Sequence, residues 1–265
     1  MIDISDEEFR QFQKFIFEAA GITLSDTKKP LVSGRLAKRL QHFQFDSYGK
    51  YFQMLSNGGA ADEVQIAIDL LTTNETYFFR EQKHFDFLRQ RAAAHRRREP
   101  FRVWSAACSS GEEAYSIAMV LADCQPGQPW EVLGSDISTR VLQQARRGHY
   151  LDERARLVPH DYLQRFCLKG TGVQQGTMLV DRNLRSRVEF HQANLTQPLP
   201  PLGAFDFVFL RNVMIYFNDD TKRRVVRNVL SLLKQDGILL VGHSESLNGI
   251  SDAVRQLSPA IYVKK

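Results

Sequence analysis

A chain of 265 residues with 43% hydrophobic and 25% charged side chains has the balance of a soluble globular protein, long enough for one large domain or a medium one plus a small one. Its 3 cysteines, Cys108, Cys124 and Cys167, lack paired spacing, which indicates neither a disulfide framework nor a zinc site. No apolar run approaches a membrane span and the acidic start has no signal core, so the chain reads as cytoplasmic, while a net charge of +5 favours an acidic partner without choosing among nucleic acid, anionic lipid and protein.

The first seventy or so residues read as helices. Ser5 and Glu8 form a capping-box pattern, followed by Phe9, Phe12, Ile16 and Ala19 at helical spacing. A second helix is expected from Pro30 to Phe43, with Val32, Leu36, Leu40 and Phe43 as its apolar stripe. Arg35, Lys38, Arg39 and His42 share another face of it, either solvated or a docking surface for something acidic. Asn57 to Ala60 reads as a loop, and Asp62 to Leu71 as a further helix.

From residue 100 the pattern changes. "FRVWSA", "WEVLGSD", "RVEFHQANL", "FDFVFL" and "GILLVGH" are short β-like runs, and helical stretches at Glu113–Ala122, Arg140–Arg146 and Lys222–Leu233 separate most of them. That alternation implies a doubly wound, largely parallel sheet with right-handed crossovers. Residues 160–189 break it: turn signals from Gly170 to Gly176 lie between β-like runs at Phe166–Lys169 and Met178–Asp181, which reads as a small antiparallel insertion. The Arg96-Arg97-Arg98 run reads as a polar linker at a helix end.

In such sheets ligands sit at the carboxyl ends of the strands. The first strand ends in Ala106-Ala107-Cys108-Ser109-Ser110-Gly111, small residues without the Gly-x-Gly-x-x-Gly that a pyrophosphate needs. Glu112 and Glu113 follow; they repel phosphate, attract a cation, and suit the positive end of a helix. Asp136, after the next strand, lies close to the ~20-residue spacing of a ribose-binding acid. A nucleoside with a cationic appendage and no phosphate describes S-adenosylmethionine, with Glu113 toward the methionine end, Asp136 toward the ribose and Glu112 needed only to start the helix. Asn194, after the fourth β-like run, is either an adenine neighbour or a turn residue.

Six ordered segments, "TTNETYFFRE", "VWSAACSSGEEAYSIAM", "GSDIS", "QANL", "LRNVMIYF" and "GILLVGHSESL", together resemble the chemotaxis receptor methyltransferases, the CheR family, nearly end to end. The resemblance implies an α/β, Rossmann-like S-adenosylmethionine-dependent methyltransferase domain (76–265) with an inserted β subdomain (160–189), preceded by an all-α receptor-docking domain (1–75). It implies methyl-ester formation on glutamates of chemoreceptor cytoplasmic helices. Matched by motif, Asn74, Thr76, Arg80, Glu113, Asp136, Asn194, Leu195, Arg211 and Asn212 fall on cofactor-binding positions, Arg80 and Tyr216 on catalytic ones. In some members the β subdomain binds a receptor's C-terminal tail peptide. Cys108 stands where many relatives carry alanine, and Glu75 where an apolar residue is usual. On its neighbours Val213, Ile215 and Phe217 alone Tyr216 reads as a core aromatic.

The chemistry is consistent: a glutamate, with reference pKa near ~4.3, is already ionised at pH 7 and needs no general base, and no His–Asp or Cys–His constellation is read. A nucleic-acid methyltransferase is disfavoured, because "LRNV" stands where amino-directed enzymes carry Asx-Pro-Pro-aromatic, and no cysteine follows a proline. No nucleic-acid partner, resident metal or state beyond a monomer is expected.

Overall fold

The computed structural model describes residues 2–57, 61–95 and 99–265; most of the expected 57–60 loop and the Arg96–Arg98 run lie outside the described residues. The chain opens with helices α1 (Asp6–Ala20), α2 (Lys29–His42), α3 (Tyr48–Ser56) and α4 (Ala61–Leu71). The capping box starts α1: Ser5 Oγ accepts from the Glu8 amide at 3.2 Å, and Glu8 Oε2 accepts from the Ser5 amide at 2.8 Å. Such caps contribute ~1 kcal/mol. Phe9, Phe12 and Ile16 then face Val32, Leu36 and Leu40 of α2 in one core. Helix α3, absent from the sequence expectation, is capped by Ser47 and buries Tyr48, Tyr51 and Leu55.

Of the four basic residues expected to share one face of α2, Arg35 and Arg39 are not simply solvated. The Arg39 guanidinium grips Glu63 of α4 through both carboxylate oxygens at 2.7 and 2.6 Å, and the Tyr51 hydroxyl donates to the same carboxylate at 2.7 Å. Arg35 donates to the Leu71 and Thr72 carbonyls at 3.1 and 3.0 Å and to Thr73 Oγ1 at 3.2 Å. Both tie α2 to α4 or its exit; Lys38 and His42 are exposed.

The second region runs α5 (Lys83–Ala93), β1 (Phe101–Ser105), α6 (Glu112–Cys124), β2 (Trp130–Asp136), α7 (Thr139–Arg147), β3 (His149–Leu151), α8 (His160–Phe166), β4 (Cys167–Lys169), β5 (Thr177–Val180), α9 (Arg182–Arg185), β6 (Val188–Gln192), β7 (Phe205–Leu210), α10 (Asp219–Ser231), β8 (Leu233–Val241), β9 (Val254–Ser258) and β10 (Ile261–Lys264). Seven strands form one sheet in the order β6-β2-β1-β7-β8-β10-β9. The first five are parallel; β10 lies antiparallel to both β8 and β9. The sequence shows no hairpin after "GILLVGH" because Ala260, at φ 62°, makes the turn without the usual glycine or asparagine.

A separate sheet, order β3-β5-β4, holds the insertion. Its first strand, His149–Leu151, precedes the expected 160–189 limits and is too short to signal itself by alternation. Helix α8, likewise not anticipated, joins α5, which ends ahead of the Arg96–Arg98 run, in packing Phe85, Leu88 and Tyr162 into a second core with α6. The first core runs from the helical bundle onto the opposite face of the seven-stranded sheet. At their junction Gly21, at φ +70°, ends α1; a Cβ there would lie 2.7 Å from methyls of Thr196 and Thr221, so only glycine lets the two regions close. Among the described residues no helix is long and apolar enough to cross a membrane.

Candidate active site

The carboxyl ends of β1, β2 and β7 open into a cavity of about 860 Å³ including its open mouth. Asn74, Thr76, Arg80, Glu113, Asp136, Asn194, Leu195, Arg211, Asn212 and Tyr216 all line it. Arg35 instead lines a neighbouring groove with Lys28 and Leu24, and Thr73 and Tyr216 border both spaces. Lys38, Arg39 and His42 line neither.

The loop from β1 to α6 is shaped by two left-handed residues, Ser109 at φ 49° and Gly111 at φ 95°. A Cβ at Gly111 would stand 2.8 Å from the Ala145 Cβ of α7, which explains the single glycine. Ala106, Ala107 and Ser109 present a small-sided wall to the cavity. The Cys108 thiol points into the protein, where burial and the nearby Asp136 push its pKa up and leave it inert. Asp136 accepts the Ser109 and Ser138 amides, one on each oxygen, both at 2.9 Å. Burial outweighs those bonds and raises its pKa to about 6.

Glu113 and Glu112 behave oppositely. Glu113 lines the cavity, accepting from Ser105 Oγ at 2.7 Å and from Arg211 Nη1 at 2.7 Å. Arg211 is itself buried and reaches Glu81 at 3.0 Å with its other arm. Burial raises the Glu113 pKa even so. Glu112 does more than start the helix: it is fully buried, accepts from Ser110 Oγ at 2.7 Å and pairs with Arg154, which also donates to the Thr76 carbonyl at 3.0 Å. Arg154 thereby joins the chain after β3 both to the start of α6, through the ion pair, and to the loop carrying Thr76, through its hydrogen bond.

Asn194 takes its turn-residue role while lining the cavity: Oδ1 accepts from the Thr196 amide and hydroxyl at 3.0 and 2.7 Å, and Nδ2 donates to the Ala19 carbonyl at 2.7 Å. Tyr216 is half-buried at the mouth rather than in the core; burial raises its phenol pKa, and Arg80 and Arg35 oppose that. The Arg80 guanidinium donates to the Glu75 carbonyl at 3.3 Å and lies over Tyr77 at 5.6 Å, but forms no ion pair among the described residues.

Residues that sequence reasoning left unassigned hold these in place. Glu245, inside the quoted "GHSESL", accepts the Asn212 and Met214 amides at 2.8 Å each and the Gly242 amide at 2.6 Å, fixing the turn that presents Tyr216. Ser109 Oγ donates to the Asn74 carbonyl at 2.7 Å. Their only signal in the sequence is a polar side chain at a strand end.

The donor set suits a cationic nucleoside. It offers two nearly buried carboxylates and a small-sided turn, and its one buried cation, Arg211, is already occupied by two glutamates. Comparison with known proteins agrees. Residues 74–263 match the family model described as "CheR methyltransferase, SAM binding domain", and residues 7–72 the one described as "CheR methyltransferase, all-alpha domain". A "Chemotaxis protein methyltransferase" of Salmonella typhimurium is 43% identical over 259 residues, covering 96% of this chain and 88% of that protein. The Escherichia coli protein of the same name is 43% identical over 263 residues, covering 98% and 91%. "Chemotaxis protein methyltransferase 2" of Pseudomonas aeruginosa is 39% identical over 260 residues, covering 97% and 92%. The chain therefore belongs to the CheR methyltransferase family, S-adenosylmethionine-dependent enzymes that place an all-α domain before a Rossmann-like catalytic domain.

Proposed function

We propose that this methyltransferase forms glutamyl methyl esters on the cytoplasmic helices of bacterial chemoreceptors, acting in the cytoplasm as a monomer. The observation that carries the reading is Arg80, a guanidinium without a carboxylate partner among the described residues, lining the cofactor cavity beside Tyr216. S-adenosylmethionine supplies an electrophilic methyl on a sulfonium sulfur. The substrate carboxylate arrives ionised, so the chain's residues orient groups and exclude water rather than move a proton. Arg80 holds the carboxylate by charge-assisted hydrogen bonds, and Tyr216 lines its approach. Glu113 faces the positive methionine end, Asp136 accepts from the ribose hydroxyls, and Asn194 with Leu195 flanks the adenine. Asn74, Thr76, Arg211 and Asn212 complete the wall.

The groove beside Tyr216, with Lys28 and Arg35, is where the receptor helix lies, and the exposed Lys38 and His42 of α2 extend the basic surface. The three-stranded sheet, with Leu151 and Leu168 exposed on its outer strands, takes a receptor's C-terminal tail peptide as an added edge strand. Radiolabelled methyl transfer onto chemoreceptor-containing membranes tests the whole reading. Label released by alkali is expected, since esters hydrolyse and methylated amines do not. Transfer should fall with added salt, with Lys38→Glu, and with excess tail peptide as competitor. Alkali-stable label would overturn the substrate class. Lys38→Glu is the informative charge reversal, because reversing Arg39 would break its buried pair with Glu63 and confound docking with folding.

Asp136 gives a pH signature. Its pKa of about 6 is that of the cofactor-free protein, and the ionised form is the better ribose acceptor. Affinity for S-adenosylhomocysteine is therefore expected to hold above pH 7 and to decline as the pH falls through about 6. Calorimetric titrations across that window check it, with Asp136→Asn expected to flatten the dependence. A profile unchanged by the substitution would remove Asp136 from the role.

A further inference from the structure

Glu81, His84 and His243 make a second polar cluster, behind Arg211. Among the described residues they form a group whose ligand atoms lie within 4.8 Å of one another. His84 Nδ1 stands 3.4 Å from Glu81 Oε2, and His243 Nε2 stands 3.7 Å from the same oxygen. His84 is 1% exposed, and neither of its ring nitrogens has a hydrogen-bond partner. Buried polar groups in folded proteins nearly always find partners, so a fully buried imidazole with both nitrogens unmatched requires a reason.

We infer that Glu81, His84 and His243 form a binding site for a divalent transition-metal ion of the zinc class. Two imidazoles and a carboxylate are the donors that zinc and its first-row neighbours take. Bond lengths of ~2.0–2.2 Å put tetrahedral ligands about 3.4 Å apart, the separation His84 already has from Glu81. Only the exposed His243 ring must turn to close the set. Charge permits a cation: Glu81 and Glu113 flank the single Arg211, leaving one carboxylate in excess. Glu81 Oε2 is reached by Arg211 Nη2 at 3.0 Å and by the His243 amide at 3.2 Å; that amide also reaches Oε1 at 3.3 Å, so a metal takes the second lone pair of Oε2 as the amide passes to Oε1. Three protein ligands leave a fourth position for water on the exposed His243 side. Such an ion ties the segment after Arg80 to the chain leaving β8, clamping the loop that presents Arg80.

The test uses the full chain stripped with a chelator and titrated with Co(II) alone, then competed with Zn(II). Saturation at one equivalent, with the intense visible bands of a low-coordinate cobalt site, is expected, together with a rise in Tm of roughly 5 °C. His243→Ala, at an exposed position that leaves the core intact, and Glu81→Gln should each weaken binding at least about tenfold. His191→Ala, in the exposed His191–Glu189 pair, should leave it unchanged. His84→Ala opens a space in the core, so it is read only beside a melting curve, and His243→Ala decides. Absence of saturable binding, or wild-type affinity in His243→Ala, would overturn the site.

Discussion

Arg80→Ala is expected to lower methyl-transfer turnover by about a hundredfold, the order of loss that follows when a reacting group is no longer held in line. Affinity for S-adenosylhomocysteine should be little changed. The distinction rests on where the Arg80 charge is committed: it reaches the Glu75 carbonyl and the Tyr77 ring and, among the described residues, no carboxylate. Removing it therefore strands no buried anion and should leave the fold intact. Arg80→Lys should recover only part of the activity, since an ammonium keeps the charge but loses the planar fork. Single-turnover kinetics beside calorimetry separate the two effects. Equal losses in cofactor affinity and turnover would make Arg80 a cofactor ligand alone, and unchanged turnover would remove it from the mechanism.

The largest stability effect is expected at Arg211. Its side chain is 1% exposed and bridges Glu81 at 3.0 Å and Glu113 at 2.7 Å. Arg211→Met keeps the bulk and removes the charge, leaving two carboxylates in a space that only the guanidinium makes tolerable. Breaking a buried pair in this way costs about 3–5 kcal/mol, a fall in Tm of roughly 10 °C or more for a chain of this size. The pH dependence has a definite sign. Without the cation both glutamates have folded-state pKa values above their unfolded ones. Groups raised in this way stabilise at pH values below the unfolded pKa and lose that contribution as pH rises. The deficit should therefore shrink as the pH is lowered toward ~4.3 and be fullest at neutral pH. Urea titrations of both proteins at two pH values check this; a loss under about 1 kcal/mol at neutral pH would mean water reaches the glutamates.

Much of the architecture was legible because it rests on local pattern. The parallel strands announce themselves as short apolar runs, and the capping box at Ser5 and Glu8 forms as its spacing predicts. The family match, carried by six short motifs, named cavity residues that no periodicity identifies. What stayed hidden is long-range. Arg39 reads as a surface charge until α4 brings Glu63 against it. Glu112 reads as a helix start until Arg154 arrives from beyond β3. Glu81 and His243 are 162 positions apart, so no spacing rule could join them. The hairpin of β9 and β10 and the three-residue β3 were missed because one turns without glycine and the other is too short to alternate.

The seam at the end of α1 has a consequence for how such enzymes can be rebuilt. Ala20 and Ile22 form part of the cofactor cavity wall, and Asn194 is fastened to the Ala19 carbonyl. The helical region is thus not an adaptor that can be exchanged for another to redirect the enzyme. A chimera that grafts a foreign helical region ahead of residue 74 would inherit a cofactor site with one wall cut to a different pattern. Retargeting is better sought on the outward turns of α2, which can vary without disturbing that wall.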